Sequence, residues 1–193
     1  MVLNLIYRAF GKRLLDVACA AVAIALLSPI LLVTAILVWF EDGKPILFRQ
    51  IRMGANHSPF AIIKFRSMPR NTFSVASSEI GTPVVTKIGR VIRRLNIDEL
   101  PQLVNILRGD MSIVGPRPAL PSQIELVGLR DQLGVYSAKP GLTGLAQIRS
   151  YDGMPVEEKA AHDAEYAARI TLLGDISIIV RTLGYLSKPP PTY

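Results

Sequence analysis

A single long apolar run near the N-terminus limits what this chain can fold into. From Leu14 to Phe40 the only charged residue is Asp16, near the start of the run. As one straight helix this segment would be roughly 40 Å long, which exceeds a bilayer's hydrocarbon core of about 30 Å. The run is too long for a signal peptide, and no small-residue cleavage pattern follows it. The sequence therefore predicts a membrane-embedded helix.

Ser28-Pro29, in the middle of this run, predicts a break in the helix. Pro29 lacks a backbone N–H and disfavours helical geometry in the residue before it, and the Ser28 hydroxyl is expected to bond a freed carbonyl. Basic residues, which favour the cytoplasmic side, flank both ends of the run; they are Arg8, Lys12 and Arg13 before it, and Lys44, Arg49 and Arg52 after it. A helix-break-helix that enters and leaves by one face satisfies both observations. A spanning helix with a proline kink remains an equal alternative.

Charge and cysteine content narrow the function classes. Twelve of the 22 Lys and Arg residues lie between Gly43 and Pro118, against four acidic residues, so this part of the chain should attract anions. The single cysteine, Cys19, excludes a disulfide framework and a cysteine-based zinc site, and fits a reducing cytoplasm. His57 and His162 lack a metal-ligand spacing.

The rest of the chain predicts a small, mostly helical α+β domain. Short β-rich stretches at 45–51 and 59–65 indicate a hairpin. The polar segment 70–83 is typical of a loop, and 115–118 and 139–144 are typical of Pro/Gly turns. Helical spacing predicts a basic amphipathic helix at 88–95 that could lie on a membrane. It also predicts helices at 98–107, 157–169 and 175–186.

Asp98 and Glu99 are the candidate reaction centre. Pro101 is tolerated only in the first turn of a helix, so the helix is expected to begin near Asp98. A helix N-terminus favours ionised carboxylates and attracts phosphate. An ionised Asp98 could attack phosphorus, and the two carboxylates could hold Mg²⁺ together with substrate oxygens. The alternative is that Asp98 simply caps the helix, with Glu99 favouring its dipole.

Three basic residues are candidates for binding a diphosphate: Lys64, Arg66 and Arg117. Guanidinium groups match phosphate oxygens in pairs, and lysine supplies a compact charge. Prolines on both sides restrict the backbone of Arg117. No G-x-x-x-x-G-K-[ST] or strand-linked G-x-G-x-x-G motif occurs, which argues against a P-loop ATPase or a dinucleotide-binding enzyme.

An ordered series of motifs covers nearly the whole chain. It comprises Lys12-Arg13-x-x-Asp16, Ser28-Pro29, Phe48-x-Gln50-x-Arg52-x-Gly54, Lys64-Phe-Arg-Ser-Met68, Asp98-Glu-Leu-Pro-Gln-Leu103, Gly109-Asp-Met-Ser-Ile-Val-Gly-Pro-Arg-Pro118 and Pro140-Gly-Leu-Thr-Gly-Leu-Ala-Gln147. This series resembles the bacterial sugar transferase family, the monotopic phosphoglycosyl transferases similar to PglC. The set in this order is far more specific than any one motif.

The resemblance implies a re-entrant membrane helix over 1–42 bent at Ser28-Pro29 and a catalytic domain over 43–187 with interfacial amphipathic helices. The proline-rich tail over 188–193 is expected to be extended and mobile. It places the enzyme on the cytoplasmic face of the bacterial inner membrane, among membrane lipids. The implied enzyme is a polyprenyl-phosphate sugar-phosphate transferase. Its substrates are a UDP-sugar and polyprenyl (undecaprenyl) phosphate, it uses Mg²⁺, and it begins a glycoconjugate or exopolysaccharide pathway.

The resemblance also implies residue roles. Asp98 attacks the β-phosphate to give a covalent phosphosugar intermediate with release of UMP. Glu99 assists with Mg²⁺ or protons, and both acids are the implied metal ligands. Arg117 is implied to bind the nucleotide or phosphate, and Asp163, a further candidate for substrate binding, matches a family acidic position. Phosphoryl transfer also needs neutralisation of the phosphoryl oxygens, which Mg²⁺ and the substrate-binding candidates Lys64, Arg66 and Arg93 could supply.

Two rival classes remain open. Excess positive charge alone is also typical of a protein that binds nucleic acid or a membrane surface. That class does not explain the acidic pair in the basic region. We therefore expect no nucleic-acid partner. A single-pass anchor for a scaffold domain would place the N-terminus in the periplasm. The stretch 146–152 departs from the Asn-Gly-Arg that many relatives carry, which leaves the sugar open. The sequence also leaves open whether the chain forms a homo-oligomer.

Overall fold

A computed structural model describes residues 2–70, 84–150 and 154–186 of the chain. Within these ranges the protein is a helix-rich α+β fold, as predicted. The helices are α1 (Val2–Ile6), α2 (Lys12–Asp42), α3 (Lys87–Arg94), α4 (Gln102–Arg108), α5 (Ile124–Gln132), α6 (Leu145–Arg149), α7 (Val156–Ala168) and α8 (Leu172–Leu186). The strands are β1 (Leu47–Met53), β2 (Pro59–Phe65), β3 (Ser112–Val114) and β4 (Gly141–Thr143).

Helix α2 continues through the predicted break. Pro29 lies inside the helix, and the Ser28 hydroxyl donates a hydrogen bond of 2.9 Å to the carbonyl of Ala25. That carbonyl lies four residues before Pro29, so it is the one that the missing proline N–H leaves without a backbone donor. The expected serine contact is therefore present. The two predicted halves belong to one continuous helix.

Asn4–Asp42 is, among the described residues, the one helical segment long and apolar enough to cross a membrane by length and composition. Only 11% of its most apolar 18-residue stretch is buried, whereas the core helix of a soluble protein would be mostly buried. The large exposed side chains of α2 include Leu14, Val22, Leu26, Leu32, Val33 and Phe40. The described parts of the chain leave this apolar surface uncovered.

The N-terminal part of α2 is fixed to the domain by polar contacts. Arg13 donates to the carbonyls of Ile106 and Leu107, at 2.5 and 2.7 Å, and thereby satisfies the open end of α4. Asp16 is 3% exposed and accepts from the hydroxyl of Ser112 at 2.9 Å, next to β3. The Lys-Arg-x-x-Asp motif thus joins the apolar helix to the domain.

The C-terminal part of α2 contacts the same domain through different residues. Val38 is 3% exposed and packs in a cluster with Phe65 of β2 and Ile92 of α3. The carboxylate of Glu41 accepts from the backbone N–H of Ile88, at 3.0 Å, and so satisfies a free donor in the first turn of α3. Both ends of α2 are therefore bound to one domain.

The predicted hairpin is confirmed. Strands β1 and β2 pair antiparallel, with Leu47 opposite Phe65 and Met53 opposite Pro59. The connection has Asn56 and His57 at positive φ, 50° and 59°, in a 3-10 turn that spans Ala55–His57. Asparagine tolerates this left-handed conformation better than most residues.

A second, parallel pair of strands was not predicted. Strand β4 lies inside the segment expected to be a Pro/Gly turn, and it pairs with β3 so that Ser112 is opposite Gly141. A Cβ atom on Gly141 would lie only 2.1 Å from the backbone nitrogen of Gly115. Glycine is required here because the two backbones approach so closely.

Two further differences concern helices. Helix α5 was not predicted because its buried residues are one leucine, Leu126, and one arginine, Arg130, which leave no apolar stripe in the sequence. Helix α4 begins at Gln102, not near Asp98, which lies in a preceding 3-10 turn over Ile97–Glu99. The C-terminal helices occur close to their predicted positions. The loop predicted at 70–83 lies almost entirely outside the described residues, and so does the tail over 188–193.

Candidate active site

Four segments bring the predicted acidic and basic residues together. Lys64 lies near the end of β2, the 3-10 turn carries Asp98 and Glu99, α3 carries Arg93, and the loop after β3 carries Arg117. The fully buried Asn105 of α4 ties α4 to β2, since its side chain accepts from the N–H of Ile63 at 3.0 Å and donates to the carbonyl of Ala61 at 2.9 Å. This pair of bonds fixes the strand against the helix that follows the acidic pair.

Glu99 is held by two cations. Its Oε1 lies 2.7 Å from Nζ of Lys64 and 2.5 Å from Nη2 of Arg117, and Nη1 of Arg117 donates to Oε2 at 3.4 Å. Burial opposes ionisation, but the charges and hydrogen bonds of Arg117 and Lys64 outweigh it and hold the pKa of Glu99 well below its usual range. Glu99 is therefore an anion at every physiological pH.

Asp98 has a different environment although it is the next residue. It is 9% exposed, and no group in the described ranges donates a hydrogen bond to its carboxylate. Burial and the negative charge of Glu99 raise its pKa from 3.8 to about 6, against the opposing charges of Lys64, Arg93 and Arg117. One carboxylate of the pair is thus firmly ionised and bound, while the other is buried and unbound.

The helix-cap alternative for Asp98 does not hold. Asn96 is the N-cap of the 3-10 turn and Pro101 is the N-cap of α4, and neither caps through its side chain. Asp98 lies inside the 3-10 turn, where its carboxylate caps neither element. Asp98 is nearly buried and its pKa is raised, which is typical of a functional carboxylate, so this arrangement favours a chemical role over a structural one.

The basic residues predicted to bind substrate fall into two groups. Burial lowers the pKa of Lys64, with Glu99 opposing, and Arg117 has a side chain 43% exposed beside the pair. Arg93 donates from Nε to the hydroxyl of Ser67 at 2.9 Å, and its charge acts on Asp98. These three cations surround the acidic pair.

Arg66 does not belong to this group. Its Nη2 donates to the carbonyls of Asp42 and Gly43, each at 2.9 Å, and lies 2.9 Å from the Asp42 carboxylate. Arg66 is 8% exposed and satisfies carbonyls at the C-terminus of α2. Its position is that of a helix-capping residue, in contrast to the predicted role in binding a diphosphate.

Asp163 does not contact the acidic pair either, and it is paired with an arginine that the sequence did not point to. Nε and Nη2 of Arg130 donate to Oδ2 of Asp163, at 2.9 and 2.5 Å, and the two side chains are 2% and 1% exposed. Asp163 was predicted to bind substrate, but its carboxylate contacts a buried protein cation instead. No sequence signal identified Arg130, because α5 itself was not recognised.

Arg52 is a further residue of the site region that the sequence reasoning left without a role. Its Nη1 donates to the carbonyl of Pro118 at 3.2 Å, and its Nη2 donates to Oε1 of Gln50 at 2.6 Å. Burial and the neighbouring Arg117 lower its pKa to about 10, with Glu99 opposing. Its place in the Phe48-x-Gln50-x-Arg52 motif was the available signal. Arg52 supports the loop that carries Arg117.

The acidic pair fits magnesium only together with substrate. No cluster of three or more Asp, Glu, His or Cys side chains that could hold a metal ion occurs in the part of the chain that the structure describes. Mg²⁺ is commonly held by one or two carboxylates plus water and substrate phosphates. Asp98 has unoccupied acceptor atoms, whereas Glu99 already binds two cations. A magnesium ion shared with the substrate would be bound mainly by Asp98, with Glu99 next to it.

Several bacterial proteins are similar in sequence to this chain. A UDP-glucose:undecaprenyl-phosphate glucose-1-phosphate transferase of Caulobacter vibrioides is 41% identical, over 94% of this chain and 72% of the relative. The exopolysaccharide production protein ExoY of Sinorhizobium fredii is 39% identical, over 90% of this chain and 84% of the relative. A UDP-N-acetylgalactosamine-undecaprenyl-phosphate N-acetylgalactosaminephosphotransferase of Aeromonas hydrophila is 37% identical over 91% of this chain, which spans 43% of that longer protein. Residues 7–188 match the family described as bacterial sugar transferase, and the chain belongs to that family.

Proposed function

We propose that this protein is a phosphoglycosyl transferase that moves a sugar phosphate from a UDP-sugar to undecaprenyl phosphate and releases UMP. The observation that carries the proposal is the buried, unbound carboxylate of Asp98 among Lys64, Arg93 and Arg117. Three relatives named for undecaprenyl-phosphate transfer, from Caulobacter vibrioides, Aeromonas hydrophila and Escherichia coli, support the substrate classes. Because their names differ in the sugar, they leave the sugar of this protein open.

In the first half of the reaction, Asp98 acts as the nucleophile. Its ionised carboxylate oxygen attacks the β-phosphorus of the UDP-sugar, and the bond from that phosphorus to the bridging oxygen breaks. The bridging oxygen leaves with its electron pair as part of UMP, and the sugar phosphate stays on Asp98 as an acyl phosphate. Lys64, Arg93 and Arg117 lie where they would neutralise phosphoryl oxygens during this transfer.

In the second half, a phosphate oxygen of undecaprenyl phosphate attacks the same phosphorus. The bond to Asp98 breaks, its carboxylate leaves ionised, and the product is undecaprenyl-diphosphate-sugar. Magnesium, when bound, would neutralise charge on the phosphates during both steps. Glu99 keeps Lys64 and Arg117 next to the reacting carboxylate, because its own ionised state binds both cations.

We propose further that α2 enters and leaves the membrane by the cytoplasmic face of the inner membrane. Contacts at both ends of α2 with one domain support this topology, since Arg13 and Asp16 bind near α4 and β3 while Val38 and Glu41 bind near α3. A helix that crossed the bilayer would have its two ends on opposite sides, and a water-exposed domain could not bind both. The exposed apolar surface between the contacts would then face lipid.

Release of UMP tests the function. Purified protein in lipid nanodiscs is incubated with Mg²⁺, undecaprenyl phosphate and each of a panel of UDP-sugars, and UMP is quantified. We expect UMP with at least one UDP-sugar, and none after EDTA is added. A protein that binds RNA or lipid with steep salt dependence but releases no UMP across the panel would instead be the basic binding protein considered above.

Cysteine labelling tests the topology. Cys19 is replaced by Ser, and single cysteines are introduced at Lys44 or before Met1. In oriented membrane vesicles, we expect a membrane-impermeant maleimide to label both positions from the cytoplasmic side. Labelling of the two positions from opposite sides would show that α2 crosses the membrane and would contradict the proposed topology.

A further inference from the structure

Arg130 and Asp163 form a buried ion pair that the proposed chemistry does not use. Arg130 is 2% exposed in α5, Asp163 is 1% exposed in α7, and two hydrogen bonds of 2.9 and 2.5 Å join them. Removing two charges from water is costly, and well-packed apolar side chains could often replace such a pair without loss of stability. Stability alone therefore does not account for a buried pair of this kind.

The third nitrogen of the Arg130 guanidinium, Nη1, binds the loop that carries Arg117. Nη1 of Arg130 donates to the backbone carbonyl of Arg117 at 2.8 Å. Arg117 stands between Pro116 and Pro118, so its backbone has few conformations to begin with. One more bond, from a side chain that is itself fixed by two bonds to Asp163, leaves the backbone at this position strongly constrained.

The side chain of Arg117 binds the acidic pair, so a constraint on its backbone also limits the position of its guanidinium group. Its two terminal nitrogens contact the two carboxylate oxygens of Glu99, at 2.5 and 3.4 Å. The chain of contacts is therefore continuous, from Asp163 through Arg130 and the Arg117 backbone to Glu99. Each link is a hydrogen bond between named atoms, and the first two members, Asp163 and Arg130, are nearly inaccessible to water.

We infer that Arg130, held by Asp163, is a positioning residue that fixes the Arg117 backbone and thereby places the Arg117 guanidinium beside the reacting phosphate. This inference rests on the proposed function for the identity of that phosphate. It gives Asp163 a role at a distance from the substrate instead of direct binding. A displacement of about 1 Å at a positioned group can reduce a reaction rate about 100-fold, so the pair is expected to matter to catalysis.

Arg130→Lys and Asp163→Asn separate positioning from stability. Lysine keeps the positive charge opposite Asp163, but its single nitrogen cannot reproduce the fork that also reaches the Arg117 carbonyl. We expect each variant to lower kcat/KM for UMP release about 10- to 100-fold in protein that remains folded by thermal denaturation. Glu165→Gln, which weakens the exposed pair between Glu165 of α7 and Arg149 of α6, is the matched control and should leave kcat/KM unchanged.

A double-mutant cycle with Arg117→Ala is the decisive comparison. If the buried pair acts through Arg117, then Arg130→Lys and Asp163→Asn cause no further loss of kcat/KM in the Arg117→Ala protein. A loss of the same size with and without Arg117 would show that the pair supports the fold in general, and the inference would be wrong.

A readout without turnover keeps this test separate from that of the function. Phenylglyoxal modifies accessible arginines, and peptide mass mapping gives the rate at Arg117. We expect Arg130→Lys to accelerate modification of Arg117 several-fold, whereas Glu165→Gln leaves it unchanged. Unchanged modification of Arg117 in Arg130→Lys would overturn the inference even if the enzyme releases UMP. Faster modification would support it even if no UDP-sugar of the panel were a substrate.

Discussion

Asp98→Asn is expected to lower UMP release by at least about 1,000-fold, because an amide cannot attack phosphorus as a carboxylate does. The substitution keeps the size of the side chain and leaves the contacts of Glu99 with Lys64 and Arg117 in place. The loss should therefore appear in kcat, with UDP-sugar binding retained. The assay is UMP release by wild type and variant in nanodiscs at equal protein concentration.

The same substitution is expected to stabilise the protein when magnesium is removed. In the unfolded chain Asp98 loses its proton near pH 4, but in the folded protein its pKa is about 6. As the pH rises from about 4 to 6, Asp98 ionises in the unfolded chain before it does in the folded protein, so the free energy of unfolding falls. Above about pH 6 this loss of stability stays constant. Asparagine removes that penalty, which corresponds to about 1–3 kcal/mol at pH 7.5.

Thermal denaturation in EDTA measures this effect. We expect a higher Tm for Asp98→Asn than for wild type at pH 7.5, and little difference at pH 4. Adding Mg²⁺ with a UDP-sugar should raise the Tm of wild type more than that of the variant. Asp131→Asn, at an exposed aspartate of α5, is the control and should change neither UMP release nor the Tm in this way. Wild-type activity in Asp98→Asn would remove Asp98 from the mechanism.

Asp163→Ala is expected to cost about 3–5 kcal/mol of stability, because it leaves the buried guanidinium of Arg130 without its counter-ion. For a chain of this length that corresponds to a fall in Tm of roughly 10 °C. The matched control is Glu165→Ala, two residues further along α7, whose partner Arg149 lies at the surface. An exposed pair contributes about 0–1 kcal/mol, so the control should hardly move the Tm.

Denaturation of the two variants side by side, in the same nanodiscs, checks this contrast. Equal Tm values for Asp163→Ala and Glu165→Ala would mean that the Arg130–Asp163 contact contributes no more than a surface pair. Both the expected stability and the positioning of Arg117 by a rigid pair would then lose their physical basis.

Local sequence signals were sufficient for the hairpin and for most of the cations around the acidic pair. The hairpin follows from two β-rich stretches around a short turn, which is a local pattern. Lys64, Arg93 and Arg117 were selected by their charge or by the family resemblance, and the structure places all three around Asp98 and Glu99. The cap alternative failed because the α-helix begins after the acidic pair, at Gln102, a boundary that local pattern rarely determines.

The contacts that organise the site depend on tertiary structure, and the sequence could not supply them. Arg66 was grouped with Lys64 by charge, yet it binds Asp42 at the end of α2, a partner 24 residues away. Arg130 and Asp163 are 33 residues apart, and neither periodicity nor composition relates them. Strand β4 lies inside a segment rich in proline and glycine, and it forms because β3 lies beside it.

The central claim, that Asp98 carries the sugar phosphate during transfer, is tested most directly by intact-protein mass spectrometry. The protein is mixed with its UDP-sugar and Mg²⁺ without undecaprenyl phosphate, quenched, weighed and then mapped by peptides. We predict a mass gain of one sugar phosphate, located on the peptide that contains Asp98, absent from Asp98→Asn and lost when undecaprenyl phosphate is added before quenching. A wild-type enzyme that releases UMP only when undecaprenyl phosphate is present, with no adduct at any time, would contradict the account.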